Sequence, residues 1–463
     1  MKMRRMAQWT AAGSLLFLAA CGNETTNEAD AENEDLNASN NGNAEVENEA
    51  SNEDDKEQVT IKWYNWDNDV MAQTSEKYIA DFEEEYPHIT VESISLVPGD
   101  SLGSLQNLDI LLSSGEEVDV ISFPNVDSLY QRAEMGAIAP LDEFYEDHGV
   151  IPEDEYFINP SVEDQYYGIQ YNATLNFMML NKDAFDAAGI DIPDSSWTWE
   201  DFEQYAEQVK DHEGESNMYG AYFHTWPLYM NPPAQTLMKH PFLYEDGTTN
   251  FADESFPRMF EMRERLENED ITKTYEEALG ADLGYRTEYF NENAAMLLTG
   301  SWMIGEAGNT ELNPHDFTTA FAPVPVLDEG DASEYYMGGN FFGIGETSEF
   351  KEEAYLFARH VSTNLSDSRA ELPGWKKGDP QPVVERMIQG NEDQIDVDSL
   401  MYTLFGDDIS YLDASQISIT YASELDSILV DGFGMFMLDN EPLDEVQEWM
   451  VEEATKVIES QDE

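Results

Sequence analysis

The segment Val59–Ser122 restricts the possible folds most, because strand-like and helix-like patterns alternate along it. The strand-like stretches are Val59–Tyr64, Ile89–Ile94 and Val118–Ser122, and the amphipathic helical stretches are Gln73–Tyr86 and Leu102–Leu112. A strand–helix–strand–helix–strand order predicts a doubly wound parallel sheet of an α/β fold. Ligands of such sheets bind in the crevice beyond the carboxyl ends of the strands.

A second segment, Tyr166–Lys210, predicts the entry into another α/β unit. Tyr171–Leu180 is mostly apolar and β-prone, which predicts one largely buried strand. A short helix is predicted over Lys182–Ala188, with Gly189 as its left-handed stop. Thr198 is expected to cap the next helix.

The charge balance limits the partners that the folded surface can attract. The chain has 97 Asp and Glu against 22 Lys and Arg, a net charge of −75. Such a surface repels phosphate groups, so nucleic acid and anionic membrane surfaces are not expected partners. Dense carboxylates are also typical of salty or alkaline surroundings, where ions screen the self-repulsion.

The first 58 residues are predicted to lie outside the folded protein. Three basic residues precede a short apolar run that ends in Leu18-Ala19-Ala20-Cys21, which resembles a bacterial lipobox. Residues 1–20 are therefore predicted to be a lipoprotein signal peptide, and Cys21, the chain's one cysteine, to receive lipid. The alternatives are an ordinary signal peptide or a short membrane anchor, for which the apolar run is too short. Residues 21–58 hold 13 acidic residues and almost nothing apolar, which predicts a disordered tether.

Five stretches occur in an order that can be compared with known families. They are FEEEYPHITVE (82–92), SGEEVDVISFPN (114–125), the segment 166–210, AAMLLTGSW (294–302) with APVPV (322–326), and GGNFFGIG (338–345) before KEEAYLFARHVS. Together they resemble the family 1 extracellular solute-binding proteins of ATP-binding-cassette (ABC) importers. Each motif is weak alone, but their common order over nearly all of 59–362 makes the resemblance specific.

The resemblance implies a two-lobe, periplasmic-binding-protein-like α/β fold of type II, with doubly wound sheets joined by a hinge of about three crossings. It implies one lobe of residues 59–168 plus 322–362, and a second of residues 169–321 plus 363–463. The implied function is capture of an extracellular solute by lobe closure and its delivery to a membrane permease. We expect a monomer without a cofactor, held by its lipid on the extracellular face of the cytoplasmic membrane.

A sugar cleft requires aromatic faces for the C–H groups of the rings and polar side chains for the hydroxyls. Trp66, Trp226 and Trp302 follow predicted strands or turns, and the family position corresponding to Trp302 often stacks on ligand. Core packing or a half-exposed surface ring is the alternative for each. The remaining candidate contacts are Asp67, Asn125, Tyr171, Asn340 and Trp375. Trp197 and Trp199 flank a helix start and are predicted to pack in the core.

No pattern predicts a catalytic residue or a metal site. The seven histidines are scattered, and the acidic runs 328–334 and 393–398 lack the spacing of a calcium-binding loop. Gly338–Gly345 lacks the Lys-Ser/Thr of a phosphate loop, which favours a hinge turn. Among so many carboxylates, no pair can be named as the acid and base of a glycosidase.

Three functions are therefore compared. The leading hypothesis is a binding lipoprotein for an oligosaccharide, and the second is an exported glycosidase or lyase. The third is a receptor that signals through a membrane partner without a transporter. A glycerol phosphate would need a cluster of basic residues, but basic residues are scarce at the predicted strand ends, with Arg286 and Lys376-Lys377 as the exceptions. A polyamine, being cationic, would suit the acidic field.

Overall fold

The computed structural model describes residues 57–213, 218–233, 240–364, 371–414 and 417–461. The predicted signal peptide 1–20, Cys21 and all but the last two residues of the predicted tether 21–58 lie outside the described residues. In the part that is described, no helix is both long and apolar enough to cross a membrane.

The described strands form two larger sheets and two short pairs. They are β1 Val59–Asn65, β2 Ile89–Ser95, β3 Val120–Phe123, β4 Ser161–Val162, β5 Gln165–Tyr166, β6 Ile169–Gln170, β7 Asn176–Asn181, β8 Tyr219–Tyr222, β9 Ala294–Gly300, β10 Thr319–Ala322, β11 Ser333–Met337, β12 Phe341–Ile344 and β13 Ile409–Asp413.

The described α-helices flank these sheets or form the C-terminal part of the chain. They are α1 Asp69–Glu85, α2 Ser101–Ser114, α3 Val126–Glu134, α4 Asp142–Asp147, α5 Pro152–Glu155, α6 Lys182–Ala188, α7 Trp199–Glu213, α8 Ser255–Asn268, α9 Tyr275–Gly280, α10 Tyr285–Phe290, α11 Ile304–Ala307, α12 Lys351–Thr363, α13 Pro380–Ile388, α14 Val397–Phe405, α15 Ala422–Met437 and α16 Leu443–Ser460.

The first sheet has five strands in the order β2-β1-β3-β12-β6. Its first three strands are parallel, as the sequence predicts. β12, which lies outside the segment from which a parallel sheet is predicted, is antiparallel to both β3 and β6, so the complete sheet is mixed. β12 belongs to the chain that returns from the second sheet, so it enters the first sheet from the opposite end.

The second sheet has four strands in the order β10-β7-β9-β8. β8 and β9 are parallel, whereas β7 is antiparallel to both of its neighbours. Each sheet has its own apolar cores, and α8, α15 and α16 enclose a further one around Phe251, Phe260 and Phe433. The predicted lobe boundaries remain a prediction, although the strand pairings show which segments share a sheet.

Local chemistry fixes the helices that follow β7, as the sequence predicts. The Asn181 side chain accepts a hydrogen bond from the Ala184 amide (3.0 Å), and Gly189 ends α6 with φ at 75°. Thr198 and Asp201 exchange side-chain-to-backbone hydrogen bonds at the start of α7. Trp197 and Trp199 are buried in the core, as predicted.

The prediction of one strand over Tyr171–Leu180 is wrong for its first half, because the strand in this stretch, β7 of the second sheet, begins only at Asn176. β6 ends at Gln170 in the first sheet, and β7 begins at Asn176 in the second. The residues between them cross from one sheet to the other. Apolar residues continue through the crossing because it is buried as well, so the sequence pattern does not mark the break.

Three crossing segments lie side by side, and we call residues 171–175, 338–340 and 372–374 the crossing region. The Thr174 amide donates to the Gly338 carbonyl oxygen (3.0 Å), and the Ala173 amide donates to the Leu372 carbonyl oxygen (2.8 Å). The first crossing therefore runs between the other two and is bonded to both. This agrees with the implied hinge of about three crossings.

Glycine permits the close approach of these backbones. A Cβ atom on Gly339 would lie 2.4 Å from the Asn172 carbonyl oxygen and 2.7 Å from Nε2 of Gln170. Gln170 is fully buried and fixed on its other side, since its Oε1 accepts a hydrogen bond from the Ile158 amide (2.9 Å). Neither neighbour can therefore move away without breaking contacts elsewhere.

Glu155 anchors the third crossing to the first sheet. Its carboxylate accepts hydrogen bonds from Trp375 Nε1 (2.5 Å) and from the Lys377 ammonium, and it pairs with Arg359 of α12 (3.2 Å). Burial alone would raise the pKa of Glu155, but these three hydrogen bonds lower it to about 2. The carboxylate therefore stays ionised at neutral pH and holds the segment that follows the crossing.

We predict that Gly339→Ala destabilises the protein by about 2 kcal/mol, because the added methyl overlaps a backbone oxygen. Urea unfolding followed by circular dichroism measures the change. The matched control is Gly434→Ala, inside α15, where a Cβ would meet nothing within 4 Å. That variant should be neutral or stabilised by about 0.5–1 kcal/mol. Equal effects of the two substitutions would contradict the role assigned to Gly339.

Candidate functional site

The carboxyl ends of β8 and β9 lie at the same edge of the second sheet, because the two strands are parallel neighbours. Trp226 lies beyond the end of β8, and Trp302 lies in a 3-10 turn directly after β9. Their ring centroids are 6.4 Å apart. Two tryptophans predicted separately from strand ends are thus brought together by the sheet.

Three further aromatic side chains complete this group. We call His224, Trp226, Tyr229, Tyr285 and Trp302 the aromatic cluster. The Trp226 ring lies 5.3 Å from Tyr285 and 4.7 Å from His224, and His224 lies 5.2 Å from Tyr285. Tyr229 is 3% and Tyr285 8% exposed, whereas both indoles are half-buried. The two indoles and His224 are therefore the members with free surface to offer a ligand.

The cluster is uncharged at neutral pH. Burial lowers the pKa of His224 to about 4, so its imidazole is neutral. Burial also raises the pKa of Tyr285, so its hydroxyl keeps its proton. Apolar faces with neutral polar groups are the surroundings that a sugar ring needs.

A polar group borders the cluster on one side. The Tyr285 hydroxyl accepts hydrogen bonds from Trp302 Nε1 (3.2 Å) and from Nη1 of Arg286. Arg286 also forms a two-pronged ion pair with Glu306 of α11, with the closest contacts at 2.8 Å. The cation is thereby neutralised next to the cluster.

Trp66 and Asp67 follow β1 in the first sheet, as predicted. Trp66 is 9% exposed and forms part of the buried core. The Asp67 carboxylate accepts a hydrogen bond from the Ser75 hydroxyl, and burial raises its pKa. Both side chains therefore have structural contacts within this part of the fold.

Tyr171 and Asn340 meet in the crossing region. The Tyr171 ring stacks on Phe342 with centroids 4.2 Å apart, and its hydroxyl is hydrogen-bonded to the side chains of Ser122 and Asn340. The Asn340 amide donates to Oδ1 of Asn172 (2.7 Å). These two candidates thus lie where the chain passes between the sheets.

Asn125 and Trp375 have other partners. The Asn125 side chain accepts a hydrogen bond from the Ser128 amide (2.9 Å) and so caps α3. The Trp375 indole is held by Glu155 and packs against the core of the first sheet. The contacts of both residues are separate from those of the aromatic cluster.

Sequence reasoning missed Tyr285 and Glu306, and it mentioned Arg286 only as an isolated basic residue. Tyr285 is the first residue of a six-residue helix and does not follow a strand. Candidates chosen at the ends of predicted strands therefore do not include it. Its proximity to Trp302 depends on how α10 packs on β9, for which the sequence has no signal.

Two carboxyl groups influence each other electrostatically where α3 approaches the C-terminal helices. Asp127 lies in the first turn of α3 and accepts a hydrogen bond from the Ile419 amide (3.1 Å). Burial raises the pKa of Asp127 to about 6, and burial together with the Asp127 charge raises the pKa of Asp426 on α15 to about 7. This contact joins chain segments almost 300 residues apart.

A family model for the bacterial extracellular solute-binding proteins matches residues 67–364, well over half of the chain. The chain belongs to this family. The family resemblance that the five sequence stretches indicate is therefore confirmed. Members of this family are binding proteins, and its name describes an extracellular role.

Individual relatives of this solute-binding protein are more distant. A putative binding protein of Brucella abortus is 34% identical over 140 residues, which are 30% of this chain and 33% of that protein. The chain thus matches about a third of the length of the first of these curated relatives. The multiple sugar-binding protein of Streptococcus mutans is 24% identical over 66% of this chain and 72% of its own length.

Solved structures confirm the predicted two-lobe fold. An ABC substrate-binding protein of Listeria monocytogenes, solved in complex with cycloalternan, aligns with a TM-score of 0.72 at 17% identity. The alignment covers 87% of this chain and 99% of that structure. At this identity the likeness establishes the fold of the solute-binding protein and not its ligand.

We predict that Asp426→Asn changes how stability depends on pH. Both carboxyls have a folded-state pKa above the ordinary 3.8, so the folded protein binds more protons than the unfolded chain between about pH 4 and 7. The stabilisation of the fold by the protonated carboxyls of Asp127 and Asp426 is complete below the ordinary carboxyl pKa. It is lost as the pH rises through about 6 to 7.

Wild type should therefore lose on the order of 1–2 kcal/mol more stability than Asp426→Asn between about pH 5 and 8. Urea unfolding at each pH measures the difference. Asp431→Asn, an exposed position on the same helix, is the control and should follow wild type. Parallel dependences of stability on pH for Asp426→Asn and wild type would show that folding does not raise the pKa of this carboxyl.

Proposed function

We propose that this solute-binding protein captures a neutral oligosaccharide and delivers it to an ABC permease. The observation that supports this most strongly is the aromatic cluster, in which two half-buried indoles lie side by side at the carboxyl ends of parallel strands. Sugar rings present C–H faces that pack on indoles, and pairs of indoles suit consecutive rings of a chain. The sugars named for the Streptococcus and Listeria relatives agree with this substrate class.

Lobe closure on the ligand is the proposed mechanism. The aromatic cluster belongs to the second sheet, whereas Trp66 and Asp67 follow β1 of the first sheet. The three segments of the crossing region are hydrogen-bonded side by side in antiparallel pairings, and this region would act as the hinge. A ligand that contacts both sides only in the closed form shifts the open–closed equilibrium toward closure.

The acidic charge supports a neutral solute over an anionic one. With a net charge of −75, the mean field repels phosphorylated solutes before they reach the cluster. The nearest cation, Arg286, is already paired with Glu306. A polyamine is the alternative that this field favours, since a cation would also be attracted to the faces of the indoles.

The binding test uses the purified full-length chain in high-salt buffer. Thermal unfolding and tryptophan emission are recorded with maltotriose, mannotriose, glycerol 3-phosphate and spermidine. A solute present at about 100 times its Kd should stabilise the fold by about 2.7 kcal/mol. A shift with one sugar class and no smaller sugar released supports the proposal. A shift with spermidine alone would overturn the substrate class, and released products would show an enzyme.

We predict that Trp302→Ala weakens binding of the recognised oligosaccharide at least about tenfold, because the main stacking face is lost. Isothermal titration measures the Kd. Trp449→Ala is the control, since Trp449 is a half-buried indole that packs against the C-terminal core formed by α8, α15 and α16. Its affinity should stay within about twofold of wild type, provided that the variant folds. Equal affinities of wild type and Trp302→Ala would remove Trp302 from the site.

We further propose that Cys21 is lipidated and tethers the mature protein to the membrane. Cys21→Ser should abolish incorporation of labelled palmitate and release the protein from the membrane fraction, because the serine hydroxyl does not accept the lipid that the thiol does. Fractionation of expressing bacteria and fluorography measure both effects. Labelling that persists in the variant would contradict the lipobox.

A further inference from the structure

Arg286 lies beside the aromatic cluster and, in a solute-binding protein, would ordinarily suggest recognition of a phosphate or carboxylate. Its hydrogen bonds indicate otherwise. Nε donates to both carboxylate oxygens of Glu306 (2.8 and 3.0 Å), and Nη2 donates to one of them (2.8 Å). The Glu306 side chain is 20% exposed and that of Arg286 is 39% exposed, so the ion pair is partly shielded from water. Two of the three guanidinium nitrogens are therefore bonded to Glu306.

The remaining nitrogen of Arg286 is directed at the cluster. Nη1 donates to the Tyr285 hydroxyl, and the guanidinium carbon lies 4.7 Å from the centre of the Tyr285 ring. The same hydroxyl accepts a hydrogen bond from Trp302 Nε1 (3.2 Å). Glu306, Arg286, Tyr285 and Trp302 thus form one continuous chain of polar contacts that ends on an indole.

Trp302 is also fixed from its other side. A Cβ on Gly300 would lie 2.2 Å from Cζ3 of the indole, so the ring lies directly over the glycine backbone. The pyrrole edge is held by Tyr285 and the benzene ring by Gly300. An indole held at both ends loses little freedom when a ligand stacks on it, which favours binding.

We propose that Arg286 is a positioning residue that orients the Trp302 indole through Tyr285. Because Glu306 neutralises it, Arg286 also determines specificity: the site around Trp302 selects neutral over anionic sugars. This rests on the proposed function, because it concerns the same oligosaccharide site. Removing the negative charge of Glu306 leaves a partly buried cation beside the indoles. Such a cation attracts carboxylates and no longer holds the Tyr285 hydroxyl in one geometry.

The test compares Glu306→Gln with wild type in the full-length chain, using maltotriose as the neutral probe and trigalacturonate as the anionic probe. In Glu306→Gln the affinity for trigalacturonate, relative to the affinity for maltotriose, should rise at least about tenfold. Tyr285→Phe should weaken maltotriose about fivefold and leave the charge preference unchanged. If mannotriose is the sugar that wild type recognises, it replaces maltotriose.

The matched control is Glu203→Gln. Glu203 pairs with Arg265 through two hydrogen bonds (2.8 and 2.9 Å), away from the aromatic cluster. This variant changes the net charge equally and should leave the affinity ratio within about twofold. A ratio that is equally unmoved in Glu306→Gln would overturn the specificity role, whatever its effect on stability.

A readout without ligand separates failure of this proposal from failure of the proposed function. The near-ultraviolet circular dichroism of Tyr285→Phe is compared with wild type, both with Trp302 and with Trp302→Phe. An indole signal that changes only where Trp302 is present supports positioning, even if no sugar binds. A change that is the same in both backgrounds overturns it. Lack of sugar binding by wild type would contradict the oligosaccharide function alone.

Discussion

The structure depends on the close approach of three backbones between its two sheets. Gly339 allows this approach, since any side chain there would overlap the Asn172 carbonyl or the fixed Gln170 amide. Backbone hydrogen bonds then join the first crossing to the second and third. Two sheets with separate apolar cores are thereby linked by a short hydrogen-bonded connection of a few residues, which is typical of a hinge between lobes.

The pairing of strands in the second sheet brings together the residues of the proposed ligand site. Because β8 and β9 are parallel neighbours, the residues that follow them meet at one edge, and two indoles come within 6.4 Å. The polar side chains around them are neutral or paired, which leaves apolar faces with few hydrogen-bonding groups. The proposed site is therefore locally neutral in a protein with a large negative charge.

Much of the fold could be predicted from local patterns. The three parallel strands of the first sheet, the capped helices after β7 and the burial of Trp197 and Trp199 are all confirmed. The break within Tyr171–Leu180 could not be predicted, since a buried crossing has the same apolar pattern as a buried strand. Trp226 and Trp302 were predicted from strand ends, but Tyr285 was not, because it opens a short helix.

The sequence alone determined the α/β class, the order of the elements and the family, because periodicity, capping residues and motif order are properties of neighbouring residues. Only the tertiary structure decided which residues share a site. Trp226 joins Trp302 through sheet pairing, Glu306 reaches Trp302 through two other side chains, and Trp375 is held by Glu155. Contacts between residues distant in the chain depend on how whole elements pack, and a single sequence contains no local signal for that packing.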